Sequence, residues 1–347
     1  VKIRGLGKIK RTARQHLPSI FPGTLILLYH RIAEPSTDPW ELAVSPAHLA
    51  EQLEVLRKLW RPTRLQDFIG ANPSDKNMAR SVVVTFDDGY RDNFYNAKPV
   101  LEKFDVPATI FVTTGRIEKN GEFWWDALEA ILLQPGELPA SLSLTFGQET
   151  KGWELGQNTV YTPDEVRQHK NWRAWETPPT TRHRLYQELY ALLNPLSPAE
   201  QQAKLAELRA WSGLEETTRF EYGSVNAAEL QGLVKDNLVE IGAHTVNHVN
   251  LSTLPTSRQS YEIKESKDTL ETIIDRPVKS FAYTFGRKVD YNQSTTKLVQ
   301  ELGFNCACSN FSGISGRRRN TYELPRVQMH DWNGAEFERQ LWQWYGI

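Results

Sequence analysis

The chain has 347 residues, 39% of them hydrophobic and 24% charged, with a formal net charge of -1. That length can bury a large core in one domain or two. The composition excludes a disordered chain, and the near-neutral balance gives no footing for a nucleic-acid partner.

The charge is uneven. Lys2, Arg4, Lys8, Lys10, Arg11 and Arg14 all precede the first acid, Glu34. Residues 1–23 read as a basic arm, either a solvated terminus or a peripheral contact with anionic membrane lipid or a partner. Seven short apolar runs follow, and each ends in residues of chemical interest. Residues 24–29 end at His30, 81–86 at Asp87 and Asp88, and 108–112 at Thr113 and Thr114. Residues 239–243 end at His244, 279–283 at Thr284, 304–307 at Cys308, and 324–329 at His330. These runs are continuous rather than alternating, as expected of strands covered on both faces.

Helical patterns lie between them. Residues 46–59 carry Leu49, Leu53, Leu56 and Leu59 on one face. Further helices are predicted over 96–104, over 257–274 with Ser257 as N-cap, and over 293–302 closed by Gly303. Asp92 and Asn93 read as caps of the 96–104 helix or as site residues. Strand and helix alternate, so a parallel α/β architecture follows. Polar residues at the carboxyl ends of separate strands are the layout of a (β/α) barrel site. An open doubly wound sheet is the alternative, but no glycine-rich phosphate loop supports it.

Residues 115–222 break the rhythm. They hold Trp124, Trp125, Trp153, Trp172, Trp175 and Trp211. Helices are predicted over 126–133 and 197–211, the second with Pro198 in its first turn. This stretch reads as a mainly helical, Trp-rich insertion between barrel segments 24–114 and 223–347.

Cys306 and Cys308 are the only cysteines. One intervening residue makes a mutual disulfide strained, so two buried thiols and a reducing compartment are expected. No run reaches the ~20 apolar residues of a membrane helix. Residues 25–28 are too short for a signal-peptide core and lead into Tyr29-His30-Arg31 rather than a cleavage site. The expected location is cytoplasmic, at the inner membrane face if the basic arm binds lipid. Because the chain begins at Val1, export through a removed leader stays open.

The chemistry gathers in two places. Thr85-Phe86-Asp87-Asp88-Gly89-Tyr90 ends one predicted strand, and His244 and His248 follow another. Asp-Asp-Gly alone is an ordinary turn, and His-x-x-x-His alone is as often a surface pair. Together at strand ends they offer a carboxylate and two imidazoles, ligands suited to zinc or a similar divalent ion. Three protein ligands leave coordination positions open, the mark of a catalytic site. Consecutive residues point apart, so one aspartate can bind the metal while its neighbour accepts a proton from water.

Thr85–Tyr90 resembles the first motif of the polysaccharide deacetylase family (the nodulation-protein-B homology domain, carbohydrate esterase family 4). His244-Thr245-Val246-Asn247-His248 resembles its second motif. Phe281-Ala282-Tyr283-Thr284-Phe285-Gly286 and Leu28-Tyr29-His30-Arg31 are similar to segments of a bacterial branch whose third motif reads Phe-Ala-Tyr-Pro-Phe-Gly. The resemblance covers roughly residues 24–114 and 225–330 and leaves the insertion outside. It implies a distorted (β/α)7 barrel with a divalent metal, most often Zn2+, with Co2+ or Ni2+ also compatible. It implies Asp87 as catalytic base and Asp88, His244 and His248 as metal ligands. Tyr90 is implied as an oxyanion or substrate contact through its backbone N–H, and Phe285 as a substrate contact.

The chain departs from that pattern. Thr284 stands where proline is usual. Ala282 stands where many members place an arginine that orients the base, and Arg326 is the candidate replacement. His330 is the nearest match to the family's late catalytic acid. His30 faces the site or is a core histidine. Trp125, beside Trp124, stacks on sugar or packs inside the insertion. The function implied is removal of acetyl groups from N-acetylated amino sugars of a surface polysaccharide or its precursor. A deformylase or other amidase on the same scaffold, and a catalytically silent carbohydrate-binding protein, are the alternatives. Oligomeric state is not legible.

Overall fold

A computed structural model describes residues 23–72, 80–117, 121–215, 219–316 and 319–345. The basic arm, apart from Gly23, lies outside these residues. Seven parallel strands form the main sheet. They are β1 (Leu25–Tyr29), β2 (Ser81–Phe86), β3 (Ala108–Val112), β4 (Val239–Ala243), β5 (Ser280–Ala282), β6 (Cys306–Cys308) and β7 (Val327–Gln328). Their spatial order is β6-β5-β4-β3-β2-β1-β7, and a two-residue strand, Arg61–Pro62, also pairs with β2. Registers run Leu25↔Val82, Val84↔Ala108, Val239↔Ala108, Ala243↔Phe281, Ser280↔Cys306 and Leu27↔Val327.

One short segment joins the two ends of this sheet. Leu324 bridges Cys308 in parallel, and three residues later Val327 pairs with Leu27. The sheet therefore curls into the distorted (β/α)7 barrel that the sequence implies.

Every residue of β1, β2 and β3 is buried. Side chains alternate between two apolar layers, as the strand period of two requires. Leu25, Leu27, Val82, Val84, Ile110, Ile241 and Ala243 pack with the surrounding helices. Ile26, Val83, Phe111, Ala282, Cys306, Cys308 and Leu324 fill the other layer. Gly242 is needed there, because a Cβ would lie 2.3 Å from the Phe111 ring.

Helix Pro46–Leu59 starts as its sequence dictates. Ser45 caps it by accepting from His48 N–H, Pro46 takes the first turn, and Leu49, Leu53 and Leu56 are buried. Two expectations fail nearby. Asp92 and Asn93 do not cap the next helix, which begins with a π-helical turn, Asn93–Ala97, before Lys98–Phe104. Asp92 instead accepts from Arg31 at 3.1 Å and from Ile32 N–H at 3.0 Å, while Asn93 donates to the His30 carbonyl at 2.8 Å. Ser257 is not a cap either. The helix runs Thr256–Ile274 from Pro255 with no side-chain cap.

The chain divides into two compact units. The barrel unit comprises Val1–Ala33, Val44–Lys119 and Val225–Ile347, and the second comprises Glu34–Ala43 and Asn120–Ser224. The second unit holds helices Trp124–Leu132, Pro163–His169, Thr181–Leu193 and Pro198–Ser212. It also contains an antiparallel hairpin, Ser141–Phe146 with Glu149–Glu154. Its ionic centre is Arg219, 2.7 Å from both Glu122 and Glu129. The separate segment Glu34–Ala43 is tied into this unit. Trp40 donates to the Tyr186 hydroxyl at 2.8 Å, and Glu41 pairs with Arg173 at 2.8 Å. Among the described residues no helix is long and apolar enough to cross a membrane.

Candidate active site

The site lies at the carboxyl ends of the strands, and its backbone is strained. Asp88 (φ 73°), Thr245 (62°), His248 (54°) and Phe285 (58°) are all left-handed without being glycine. Such residues cost ~1–3 kcal/mol each and persist where their surroundings hold them. Gly89 follows at φ 74°, where an added Cβ would lie 2.9 Å from Val112.

At these turns the two aspartates take different main partners. Asp88 Oδ1 lies 3.5 Å from His244 Nε2 and 3.3 Å from His248 Nε2. Among the described residues, Asp88, His244 and His248 form the His/Cys/Asp/Glu group able to hold a metal, with ligand atoms within 4.8 Å of one another. The atoms fit that use. Asp88 Oδ1 is buried and makes no hydrogen bond, a costly state for a carboxylate oxygen unless something else satisfies it. His244 Nδ1 lies 2.8 Å from the Ala282 carbonyl, which fixes that nitrogen as the N–H and leaves Nε2 with a lone pair. His248 N–H donates to Thr245 Oγ1 at 3.0 Å, and the His248 ring meets the Phe285 ring edge-on at 4.8 Å.

Asp87 lies 3.9 Å from His244 Nε2 but is held chiefly by Arg326. Arg326 donates to it through both terminal nitrogens, Nη1 to Oδ1 at 2.7 Å and Nη2 to Oδ2 at 2.6 Å. Its Nε donates to the Ser309 carbonyl at 2.8 Å. Burial alone would raise the Asp87 carboxyl. The charge of Arg326, then that of His244, outweighs burial and holds it below the usual range. Burial likewise opposes ionisation of Asp88, yet the two imidazoles pull it well below ordinary values. His244 is lowered by burial but raised more by Asp87 and Asp88. His30 is shifted down, chiefly by burial, and feels the charges of Asp88, Asp87, Arg326 and His244.

The remaining expected residues are placed as follows. His330 follows β7, level with the end of β1, where Met329 N–H donates to the Leu28 carbonyl at 2.8 Å. Its ring lies 4.8 Å from Trp332. The Tyr90 ring is fully buried, with the Arg31 guanidinium 4.9 Å above it, so only its backbone can meet a substrate. Trp125 belongs to the second unit and is 6% exposed, stacked on Phe123 at 4.6 Å. It presents no open face for a sugar, because the insertion's own aromatic core covers it. Thr284, in place of the usual proline, donates its hydroxyl to the Val249 carbonyl. The third-motif loop is thus tied to the segment after His248.

Sequence reasoning missed two supporting residues. Gln52 accepts from the Tyr29 hydroxyl at 2.8 Å and donates to the carbonyls of His330 and Trp332. Glu262 accepts from the backbone between the two histidines. Each is a polar residue on the buried face of a helix, and that anomaly is the available signal.

The polysaccharide deacetylase family model matches residues 74–188 and 215–307, more than half of the chain. The Bacillus subtilis protein YxkH, whose name assigns it to the polysaccharide deacetylases, is 26% identical over 91 residues. That match spans 26% of this chain and only 32% of YxkH. Among solved structures, the deacetylase PplD of Streptococcus pyogenes, in complex with acetate, shares the fold. Its TM-score is 0.52 at 19% identity, over 93% of this chain and 97% of PplD. IcaB from Ammonifex degensii gives 0.53 at 16% identity, over 94% and 98%. With a family model matching more than half of its length, the chain belongs to the polysaccharide deacetylase family.

Proposed function

We propose that this chain is a metal-dependent hydrolase that removes acetyl groups from N-acetylated amino sugars of a surface polysaccharide or its precursor. The observation that carries this reading is the division of labour between adjacent carboxylates. Asp88 lies nearest to both His244 and His248, while Asp87, 3.9 Å from His244 Nε2, is gripped at two points by Arg326.

Asp88, His244 and His248 would hold the metal, Zn2+ ahead of Co2+ or Ni2+, which suit the same donors. When bound, such an ion polarises the amide carbonyl and makes a water molecule more acidic. Asp87, kept ionised by Arg326, takes a proton from the attacking water as its oxygen adds to the carbonyl carbon. The backbone N–H of Tyr90 donates to the developing oxyanion. His330, in its protonated form, gives a proton to the sugar nitrogen as the C–N bond breaks, which leaves acetate and a free amine. Phe285 and His30 border the substrate. Trp125 has no part in this reading.

Mass spectrometry across N-acetylated oligosaccharides and sugar nucleotides tests the proposal. Loss of one acetyl per turnover, with acetate in solution, supports it. Release of formate or ammonia instead points to another amidase. Binding without turnover points to a silent carbohydrate-binding protein. A cytoplasmic enzyme whose basic arm rests on the inner membrane face should co-sediment with anionic liposomes, and one that stays in the supernatant has no such contact.

A further inference from the structure

The segment from Thr245 to Val249 carries His248, and several of its backbone polar groups are claimed from outside. Thr114 N–H donates to the Thr245 carbonyl at 3.2 Å, and Gly115 N–H donates to the Val246 carbonyl at 2.7 Å. The approach of Gly115 is so close that a Cβ there would lie 2.5 Å from the Val246 oxygen. The Val249 carbonyl takes the Thr284 hydroxyl. On the opposite side stands Glu262, 1% exposed, in helix Thr256–Ile274. Its Oε2 accepts from Val246 N–H at 3.0 Å and Asn247 N–H at 2.9 Å, and its Oε1 accepts from Asn247 Nδ2 at 2.8 Å.

Two successive N–H groups converging on one carboxylate oxygen require a concave turn of backbone. The left-handed φ of Thr245 and of His248, at either side of that pair, provides it. Neither conformation is intrinsic to threonine or histidine, so the turn needs a partner that rewards it. A buried carboxylate is a strong one, because hydrogen bonds to an ionised acceptor are about twice as strong as neutral ones. Without it, two backbone donors and an amide lose a buried acceptor.

We propose that Glu262 is a positioning residue for His248. Its carboxylate winds the Thr245–His248 turn and so sets how well His248 Nε2 meets Asp88 and His244. This rests on the reading of those three residues as a metal site. Glu262 does not touch the ion or the substrate. It acts through the backbone, and its loss should weaken metal binding more than it weakens the fold.

The test titrates the intact protein with Zn2+ by calorimetry and records the visible spectrum of the Co2+-loaded form. E262A should bind Zn2+ about 10–100-fold more weakly, the range for losing a residue that supports a ligand, and the Co2+ bands should shift. E262Q should stay within a few-fold of wild type, since one amide oxygen can still take both backbone N–H groups while the Asn247 amide turns over to accept. L270A, a cavity variant on the same helix, should lower Tm and leave affinity and spectrum unchanged. Unchanged affinity in E262A, or an equal loss in L270A, overturns the proposal. Should E262A fail to fold, E262D, one methylene shorter, replaces it under the same criteria. Wild type that binds no divalent metal would overturn the metal reading itself, a result distinct from normal affinity in E262A.

Discussion

Arg326 meets Asp87 through a two-point bond, 2.7 Å and 2.6 Å, with the guanidinium wholly buried. Planar forks of this kind fix direction as well as charge. The pair borders the Asp88–His244–His248 cluster, with Asp87 Oδ2 3.9 Å from His244 Nε2. A carboxylate so held is oriented and ionised before any substrate arrives.

The first prediction concerns Asp87 itself. D87N should retain bound metal at about one ion per chain. Its kcat should fall by ~10²–10⁴, the usual worth of a general base. Elemental analysis beside a rate assay checks both halves, and full activity in D87N would remove the base assignment.

His248 should behave differently. H248A loses a ring nitrogen 3.3 Å from Asp88 and the ring that Phe285 packs against. Metal affinity should drop by more than the ~10–100-fold seen for outer-shell losses. Activity should fall with it and recover in part at high added Zn2+. Retained affinity in the calorimeter would show that His248 is not a ligand.

Arg326 links stability to pH. Its partner Asp87 is depressed in the folded state, so the pair's contribution is present above the ordinary carboxylate range and is lost as pH falls through the lowered value. R326Q should cost ~3–5 kcal/mol near neutral pH, because a buried charge loses its partner. Its urea midpoint should then fall less on acidification than that of wild type. The acid limb of its kcat/KM profile should move to higher pH. An unmoved limb would mean that Arg326 does not control the base.

Gly89 offers a steric test. At φ 74°, with Val112 Cγ1 2.9 Å from the position of a Cβ, G89A should destabilise through backbone and clash together. The left-handed turn alone costs ~1–2 kcal/mol. G89A/V112A should recover the clash component only. Thermal melts of both variants separate the two, and a G89A melt equal to wild type would contradict the geometry.

The thiols should be silent. Burial pushes Cys308 up to about 12 and Cys306 well above its ordinary value. A thiol reagent at pH 8 should label neither in the native protein and both after denaturation. Fast native labelling of either would place it at the surface.

The strands covered on both faces were the most readable parts of the chain. Ser81–Phe86, Ala108–Val112 and Val239–Ala243 keep their expected ends because apolar, largely β-branched runs stop where polar chemistry begins. The 279–283 and 304–307 runs proved shorter or shifted as strands, since pairing depends on where a neighbour's loop departs. Local pattern misled at Asp92 and Asn93, whose side chains are spent on Arg31 and the His30 carbonyl rather than on their own helix. Convergence of Asp88 with the two histidines was legible from strand ends, because parallel strands carry their carboxyl ends to one side. Gln52 and Glu262 were not, because helical periodicity reads a polar residue on an apolar face as noise. For Trp125, where the sequence left sugar stacking and packing both open, burial at 6% exposure favours packing.

The path of the backbone limits how the chain can be rebuilt. Glu34–Ala43 leaves the barrel early in the chain to join partners more than a hundred residues downstream, among them Tyr186 and Arg173. Excising residues 120–224 would therefore strand Trp40 and Glu41 in water without their mates. Chimaeras that exchange this region between relatives need two cut-and-paste events, not one, and the short one is as necessary as the long one.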